Sequence, residues 1–297
     1  MFYTKPVRVL HASVVSAMGY PIIYKRALAP SIKLIKILAP EVAGKAKPGN
    51  FVVVRVDEKG ERIPLTIVDF DVKEGSITLV FLEVGVTTMK LGRLEVGDEV
   101  ADFVGPLGNP TEIKHFGHVV CVGGGVGIAA IYPLVKAFKE AGNTVTSIIG
   151  ARNAELLIFE DEIKSVSDKV YVTTDDGSKG RKGFVSDALK ELIKKGARID
   201  RVYAVGPAIM MKVVSDVTKP HGIKTVVSLN SLMVDATGMC GVCRVEVGGK
   251  TLFTCIDGPE FDGHQVDFER LLSRLRIYSE EETVALERLK EDNRNLV

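Results

Sequence analysis

Asp235, Cys240, Cys243 and Cys255 fall in one short stretch, Asp235-Ala-Thr-Gly-Met-Cys240-Gly-Val-Cys243, followed after eleven residues by Cys255-Ile-Asp-Gly258. Three of the chain's four cysteines share a sixteen-residue window, and the first two flank a glycine-containing turn that lets both thiolates face one centre. Thiolates spaced in this way hold iron–sulfur clusters, in which non-cysteine ligands also occur, so a [2Fe-2S] centre with Asp235 as fourth ligand is the first reading. Zinc on three thiolates and a carboxylate is the second; zinc sites favour two Cys-x-x-Cys knuckles, and this segment has a single pair. A disulfide ranks third, because the N-terminus does not combine a basic start, an apolar stretch and a small-residue cleavage site, so the thiols are expected to be reduced. Cys121 stands apart in the apolar run His118-Val-Val-Cys-Val122 and reads as a small core residue.

The elements that must hold this segment change character along the chain. Lys+Arg at 39 against Asp+Glu at 38 leaves no charge excess, which argues against a nucleic-acid footprint or a basic membrane patch. No apolar run reaches transmembrane length, so no membrane span is expected and a cytoplasmic protein is the default. Residues 1–20 read as an N-terminal extension. From there to residue 114 the text is β-type: Ile32-Lys-Leu-Ile-Lys-Ile-Leu38, Phe51-Val-Val-Val-Arg-Val56, Ile63 to Phe70, Ser76 to Leu82 and Glu99 to Val104, separated by turns such as Lys47-Pro-Gly-Asn50. Short strands without intervening helices imply a small antiparallel barrel, closed by Gly105-Pro-Leu-Gly108.

Over 115–224 the pattern becomes strand, glycine loop and helix. Val119-Val-Cys-Val122 runs into Gly123-Gly124-Gly125-Val126-Gly127, a helix follows over 128–141, and strands recur at 144–149, 170–174 and 202–205, which is the texture of a parallel α/β sheet. A glycine loop between strand and helix lets backbone N–H groups approach a phosphate, though Ile128 breaks Gly-x-Gly-x-x-Gly, and tight packing is an equal explanation for the loop alone. Two more loops, Thr173-Thr-Asp175-Asp176-Gly177-Ser178 and Gly206-Pro207, lie at strand carboxyl ends, where open α/β sheets bind ligands. Together they favour a dinucleotide, with Asp175 and Asp176 able to accept from ribose or carboxamide groups. Arg152, after the second strand, stands where a 2′-phosphate would be met, which leaves NAD against NADP open. Residues 225–275 form the cluster segment. The charged tail 276–297 carries a helix from Ser279, with Val284, Leu286 and Leu289 available for contact, and a solvated helix is expected.

A nicotinamide delivers two electrons at once and an iron–sulfur cluster takes one at a time. A cofactor must divide the pair, and a flavin between barrel and α/β domain does so.

Arg62-Ile-Pro-Leu-Thr66, Gly105-Pro-Leu-Gly108, the 123–127 loop, Thr174-Asp-Asp-Gly177, Gly206-Pro207 and the Asp/Cys segment together resemble the ferredoxin-NADP reductase superfamily over residues 22 to 275. Two groups within it carry such a C-terminal segment: the electron-transfer subunits of dihydroorotate dehydrogenase, with cysteine five before the Cys-x-x-Cys pair, and the small subunits of NADH-dependent ferredoxin:NADP oxidoreductase, also called sulfide dehydrogenase, which resemble this chain in having aspartate there. The second resemblance implies FAD, a [2Fe-2S] cluster and NAD(H). It also implies a larger glutamate-synthase-like partner with its own FAD, [4Fe-4S] clusters and NADP(H) site, exchange with ferredoxin through that complex, and in some members electron bifurcation at the partner's flavin. It further implies FAD contacts from Arg62, Pro64, Leu65, Thr66, Phe81, Leu82, Thr87 and Thr88. NAD(H) contacts fall on Gly123, Gly124, Gly125, Val126, Gly127, Asp175, Asp176, Gly177, Gly206 and Pro207, the last two positioning the nicotinamide. Arg62 lies four rather than three residues before the hydroxyl of Thr66, and Val205 stands where a cysteine often precedes Gly-Pro, so no thiol acts at the nicotinamide. A zinc-stabilised nucleotide-binding module without redox activity is the remaining alternative.

Overall fold

The computed structural model describes residues 19–294. The expected extension 1–20 lies outside them except for Gly19 and Tyr20, and Tyr20 opens the first strand. Seven strands, β1 (Tyr20–Ala29), β2 (Ile32–Leu38), β3 (Phe51–Arg55), β4 (Arg62–Asp71), β5 (Ser76–Leu82), β6 (Glu99–Val100) and β7 (Asp102–Leu107), make one antiparallel sheet ordered β6-β1-β2-β5-β4-β3-β7. It curls into a nearly closed barrel around Ile35, Ile37, Val52, Val54, Leu79 and Phe103. Two helices interrupt it, α1 (Pro40–Ala43) and α2 (Val86–Arg93), where only turns were expected. Thr88 is the local reason for α2: its hydroxyl accepts from the Val84 and Gly85 N–H groups and donates to Gly85 O, all at 3.0–3.1 Å, tying the helix start.

The second sheet is built from β8 (His118–Gly124), α3 (Gly127–Glu140), β9 (Thr144–Ala151), α4 (Glu160–Val166), β10 (Lys169–Thr174), β11 (Arg181–Lys182), α5 (Val185–Lys194), β12 (Arg201–Val205), α6 (Ala208–Thr218) and β13 (Thr225–Ser228). Its strands are parallel, in the order β11-β10-β9-β8-β12-β13, with helices on both faces. Beyond β13 come the hairpin β14 (Arg244–Val247) and β15 (Lys250–Phe253), α7 (Thr254–Asp257), β16 (Glu260–Asp262), α8 (Phe268–Arg274) and the tail helix α9 (Ser279–Arg294). The cluster segment is not separate from the sheet: β16 pairs antiparallel with β13 and extends it by one strand.

Two apolar runs are buried on both faces, and these place the three regions relative to one another. In β8, Val119 and Cys121 face α3 while Val120 and Val122 face α5 and α6. Cys121 is therefore a core residue, as its setting suggested, and burial pushes its thiol pKa up. In β3, Val52 and Val54 fill the barrel, whereas Phe51 and Val53 turn outward onto Ala236, Cys243 and Cys255. The cysteine segment thus rests on the outer face of a barrel strand.

Candidate functional site

The nucleotide rim forms where β8, β9, β10 and β12 end. Gly125 has φ +58, and a Cβ there would meet nothing within 4 Å, so this backbone faces open space from which a ligand can approach. Its N–H donates to Gly150 O at 2.9 Å. Gly127 serves packing instead, since a Cβ there would sit 2.2 Å from Val205 O, and its absence lets α3 press against the end of β12. The Met210 thioether lies against both Gly124 and Gly206, bringing the first and last loops together.

The Asp175/Asp176 loop is drawn to the end of β9 by N–H donation from Asp175 to Ala151 O, 3.1 Å, and from Asp176 to Arg152 O, 3.2 Å. Asp176 Oδ1 accepts from Ser178 N–H and Oγ at 2.9 and 2.7 Å, and the Ser178 hydroxyl holds its pKa below the usual carboxylate range. Asp176 shapes the loop with that oxygen, while Asp175 and Arg152 are both exposed on the rim. Gly177, Gly206 and Pro207 lie at the same carboxyl ends.

On the barrel, Pro64, Leu65 and Thr66 lie half-buried on β4, opposite Val53, Val52 and Phe51 of β3. Arg62 is engaged elsewhere: its guanidinium donates to Asp102 Oδ2 at 3.1 Å, beside the two-pronged Arg55–Asp102 pair at 2.5 and 3.1 Å. The Arg55 bond holds the Asp102 carboxyl below its ordinary range. Phe81 also departs from the expected flavin contact, lying 2% exposed in the barrel core because β5 is buried on both faces up to Leu82. Leu82 packs between barrel and α/β domain. Thr87 is buried in the first turn of α2, and the hydroxyl of Thr88 is spent on capping that turn.

In the cysteine segment, Cys243 Sγ and Cys255 Sγ approach to 3.2 Å, both 2% exposed, whereas Cys240 is exposed. Burial pushes the Cys255 thiol up. Asp235 accepts from Thr237 N–H at 2.9 Å and Cys240 N–H at 2.8 Å, and the first of these bonds most lowers its pKa. It therefore fastens the loop that presents Cys240. Among the described residues no three His, Cys, Asp or Glu side chains are gathered as a metal-ligand group. The donor set nonetheless fits an iron–sulfur centre: three free thiols, two of them back to back in an apolar setting, and a carboxylate pinned to the third.

Several groups with bearing on the site gave no signal in the sequence. Asn109 donates from its backbone to Gly258 O, 2.7 Å, and from Nδ2 to Ile256 O, 3.0 Å, and Thr111 Oγ1 donates to Glu260 Oε1 at 2.6 Å. The linker between barrel and parallel sheet is thereby stitched to the cysteine segment. Burial pushes the Glu260 carboxyl up to about 7, a rise that the Thr111 bond only partly offsets. The folded chain then holds a proton that the unfolded chain releases from its ordinary value of 4.5 upward, so this group's contribution to stability falls as pH rises from 4.5 to about 7. On the order of 2 kcal/mol is expected to be lost across that window, and Glu260→Gln should flatten this part of the curve. Thermal midpoints of both proteins at pH 5 and pH 8 check it; equal slopes would remove Glu260 as the cause.

A barrel, a dinucleotide-type parallel sheet and a thiol-rich segment on one face define an NAD(H)-linked reductase with an iron–sulfur-binding region. Family models agree: residues 121–216 match the oxidoreductase NAD-binding domain, and residues 230–267 match the iron–sulfur cluster binding domain of dihydroorotate dehydrogenase B. A Thermotoga maritima protein described as a dihydroorotate dehydrogenase B (NAD(+)) electron transfer subunit homolog is 51% identical over 85% of this chain and 89% of its own length. A probable subunit of the same description from Methanopyrus kandleri is 37% identical over 75% and 82%. A solved chain of NADH-dependent reduced ferredoxin-NADP oxidoreductase superposes with TM-score 0.87 at 48% identity, covering 93% of this chain and 99% of that one. The chain belongs to the family of dihydroorotate dehydrogenase B-type electron-transfer subunits, within the ferredoxin-NADP reductase superfamily. It is an oxidoreductase electron-transfer subunit, and its fold and both domain models fit FAD, NAD(H) and a [2Fe-2S] cluster as the cofactor set. Among the described residues no helix is long and apolar enough to cross a membrane.

Proposed function

We propose that this chain is the smaller subunit of a ferredoxin:NADP oxidoreductase complex, moving electrons between NAD(H), FAD and a [2Fe-2S] cluster held by Asp235, Cys240, Cys243 and Cys255. The supporting observation is the placement of β3, which pairs with the Pro64–Thr66 strand on one side and packs Phe51 and Val53 against Cys243 and Cys255. A flavin on that strand and a cluster on those thiols are then neighbours across one strand of backbone. Bound FAD would supply the two-to-one-electron conversion that neither nicotinamide nor cluster performs alone.

This chain's own part is binding and orientation. Gly125 leaves room for the dinucleotide phosphates, Gly206 and Pro207 hold the nicotinamide end, and Pro64 and Thr66, with the Leu65 backbone between them, meet the flavin, the Leu65 side chain packing into the barrel. Hydride transfer needs alignment more than an acid or base. The partner on this reading is a larger glutamate-synthase-like subunit with its own FAD, [4Fe-4S] clusters and NADP(H) site, through which ferredoxin is served and at whose flavin any bifurcation occurs.

The electron-transfer subunit of a dihydroorotate dehydrogenase is the second reading, favoured by the descriptions of the Thermotoga maritima and Methanopyrus kandleri relatives. Asp235, where that group has cysteine, favours the first. Isolation of the native complex with a count of iron and flavin separates them: the first brings [4Fe-4S] iron and NADPH activity, the second an FMN dehydrogenase that oxidises dihydroorotate. Recovery of the latter would overturn the first reading.

A further inference from the structure

Glu260 stands on β16, opposite Ser228 of β13, and its carboxyl meets the linker between barrel and parallel sheet, where Thr111 Oγ1 donates to Oε1 at 2.6 Å. Thr111 is its one polar partner among the described residues, and no cation offsets its burial. A carboxyl so placed is costly to ionise, and neither dinucleotide binding nor hydride alignment has a use for it. The residue is half-buried rather than sealed, so a proton can pass between it and solvent.

The groups that face Glu260 from the neighbouring elements keep their charge near neutral pH. Burial pushes the Cys121 thiol of β8 and the Tyr203 phenol of β12 up, and both stay protonated. Arg201, also on β12, lies 4.3 Å over the Phe116 ring and stays charged. Glu112 of the linker is held ionised by the bond from Lys114 at 2.6 Å. Glu260, with its carboxyl raised to about 7, is the member of this group that can change charge there.

Its distance from the thiol pair is short. Cys255 precedes it by five residues, a span of at most about 18 Å even when fully extended. The chain folds back within that span, since a Cβ at Gly258 would sit 2.9 Å from Thr254 O. A Cβ at Gly108 would lie 2.7 Å from Pro259 Cδ and 2.8 Å from Phe51 Cε1, so Pro259 and Phe51 are side by side, and Phe51 packs on Cys243 and Cys255. What separates Glu260 from the thiols is therefore largely apolar, and charge on one is felt by the other with little screening.

We propose that Glu260 is a redox-linked proton site: its carboxyl binds a proton from solvent when the [2Fe-2S] centre on those thiolates gains an electron, and releases it when the electron leaves. The inference rests on the cluster assignment above. One electron and one proton enter together, and the bond formed is the carboxyl O–H. Well below pH 7 the carboxyl is protonated in both redox states and the cluster potential is level. As pH rises through 7 the oxidised form loses its proton first, and the potential falls by up to about 59 mV for each tenfold drop in proton activity.

The test is a redox titration of the anaerobically purified chain, followed by the paramagnetic signal of the reduced cluster, between pH 5 and pH 9. The wild type should show the falling limb, and Glu260→Gln, which keeps the volume and can still accept from Thr111, a potential level across the neutral range. Thr111→Val removes the bond that lowers the carboxyl's pKa and should displace the limb to higher pH. A purely structural role would lower the thermal midpoint and leave the slope untouched. A level wild-type potential, the same slope in Glu260→Gln, or a limb left in place by Thr111→Val would each overturn the inference. A wild-type chain without an iron–sulfur signal would instead overturn the cluster assignment itself.

Discussion

Cys243→Ser should yield a chain with essentially no iron and no acid-labile sulfide, still carrying its flavin. Cys243 is 2% exposed, its sulfur lies 3.2 Å from that of Cys255, and both pack beneath Phe51 and Val53. Serine fits the space, so the fold is kept. What is lost is the soft anionic donor: a thiolate forms readily when it can bind iron, whereas a buried alkoxide does not. The effect should be nearly complete, because a di-iron centre deprived of one of three thiolates loses a ligand that water cannot replace in an apolar pocket. NADH-dependent reduction of a two-electron dye, which needs only the nucleotide rim and the flavin, should remain within about twofold of the wild type, while transfer to one-electron protein acceptors fails. Iron and sulfide assays on anaerobically purified protein check the first statement and dye kinetics the second. A Cys243→Ser chain with its full iron complement would refute the ligand assignment, and a zinc-filled, colourless wild type would refute the cluster.

Much of the architecture could be read from two kinds of pattern. Unbroken apolar runs at Phe51–Val54 and Val119–Val122 signal strands covered on both sides, and those are the strands that join barrel to cysteine segment and α3 to α5 and α6. Cysteine spacing pointed to the centre, and glycines at strand ends pointed to the rim. Side-chain partners decided by tertiary contact were beyond such patterns. Arg62 meets Asp102 across 40 positions, and Thr111 meets Glu260 across 149, so neither link leaves a local trace. Val86–Arg93 has two threonines and a glycine in eight residues, which reads as a turn until the Thr88 hydroxyl is seen tying its start. The resemblance alone implies a flavin contact for Phe81, and its place on the Ile77–Leu79 face of β5 puts its ring inside the barrel instead.

Gly125→Glu should abolish NADH oxidation while leaving FAD and iron in place, and Gly127→Ala should fail for a different reason. The two glycines are two residues apart in one loop, yet the space around them differs. At Gly125 a side chain enters open space, and the backbone at φ +58 costs a non-glycine residue about 1 kcal/mol, which a chain of this size tolerates. The damage is electrostatic: a carboxylate is placed where N–H groups at the head of α3 would face a dinucleotide's phosphates, converting attraction to repulsion. A rise in the NADH Michaelis constant of at least a hundredfold, about 2.7 kcal/mol, is expected. At Gly127 the added methyl falls 2.2 Å from Val205 O and 2.9 Å from Gly206 Cα, both backbone, so α3 or the end of β12 must move. Overpacking of that kind costs about 1–3 kcal/mol and should lower the thermal midpoint as well as activity. Raising ionic strength discriminates further, since screening should recover part of the Gly125→Glu loss and none of the Gly127→Ala loss. Normal NADH kinetics in Gly125→Glu would move the nucleotide away from this loop and leave its glycines with packing as their only role.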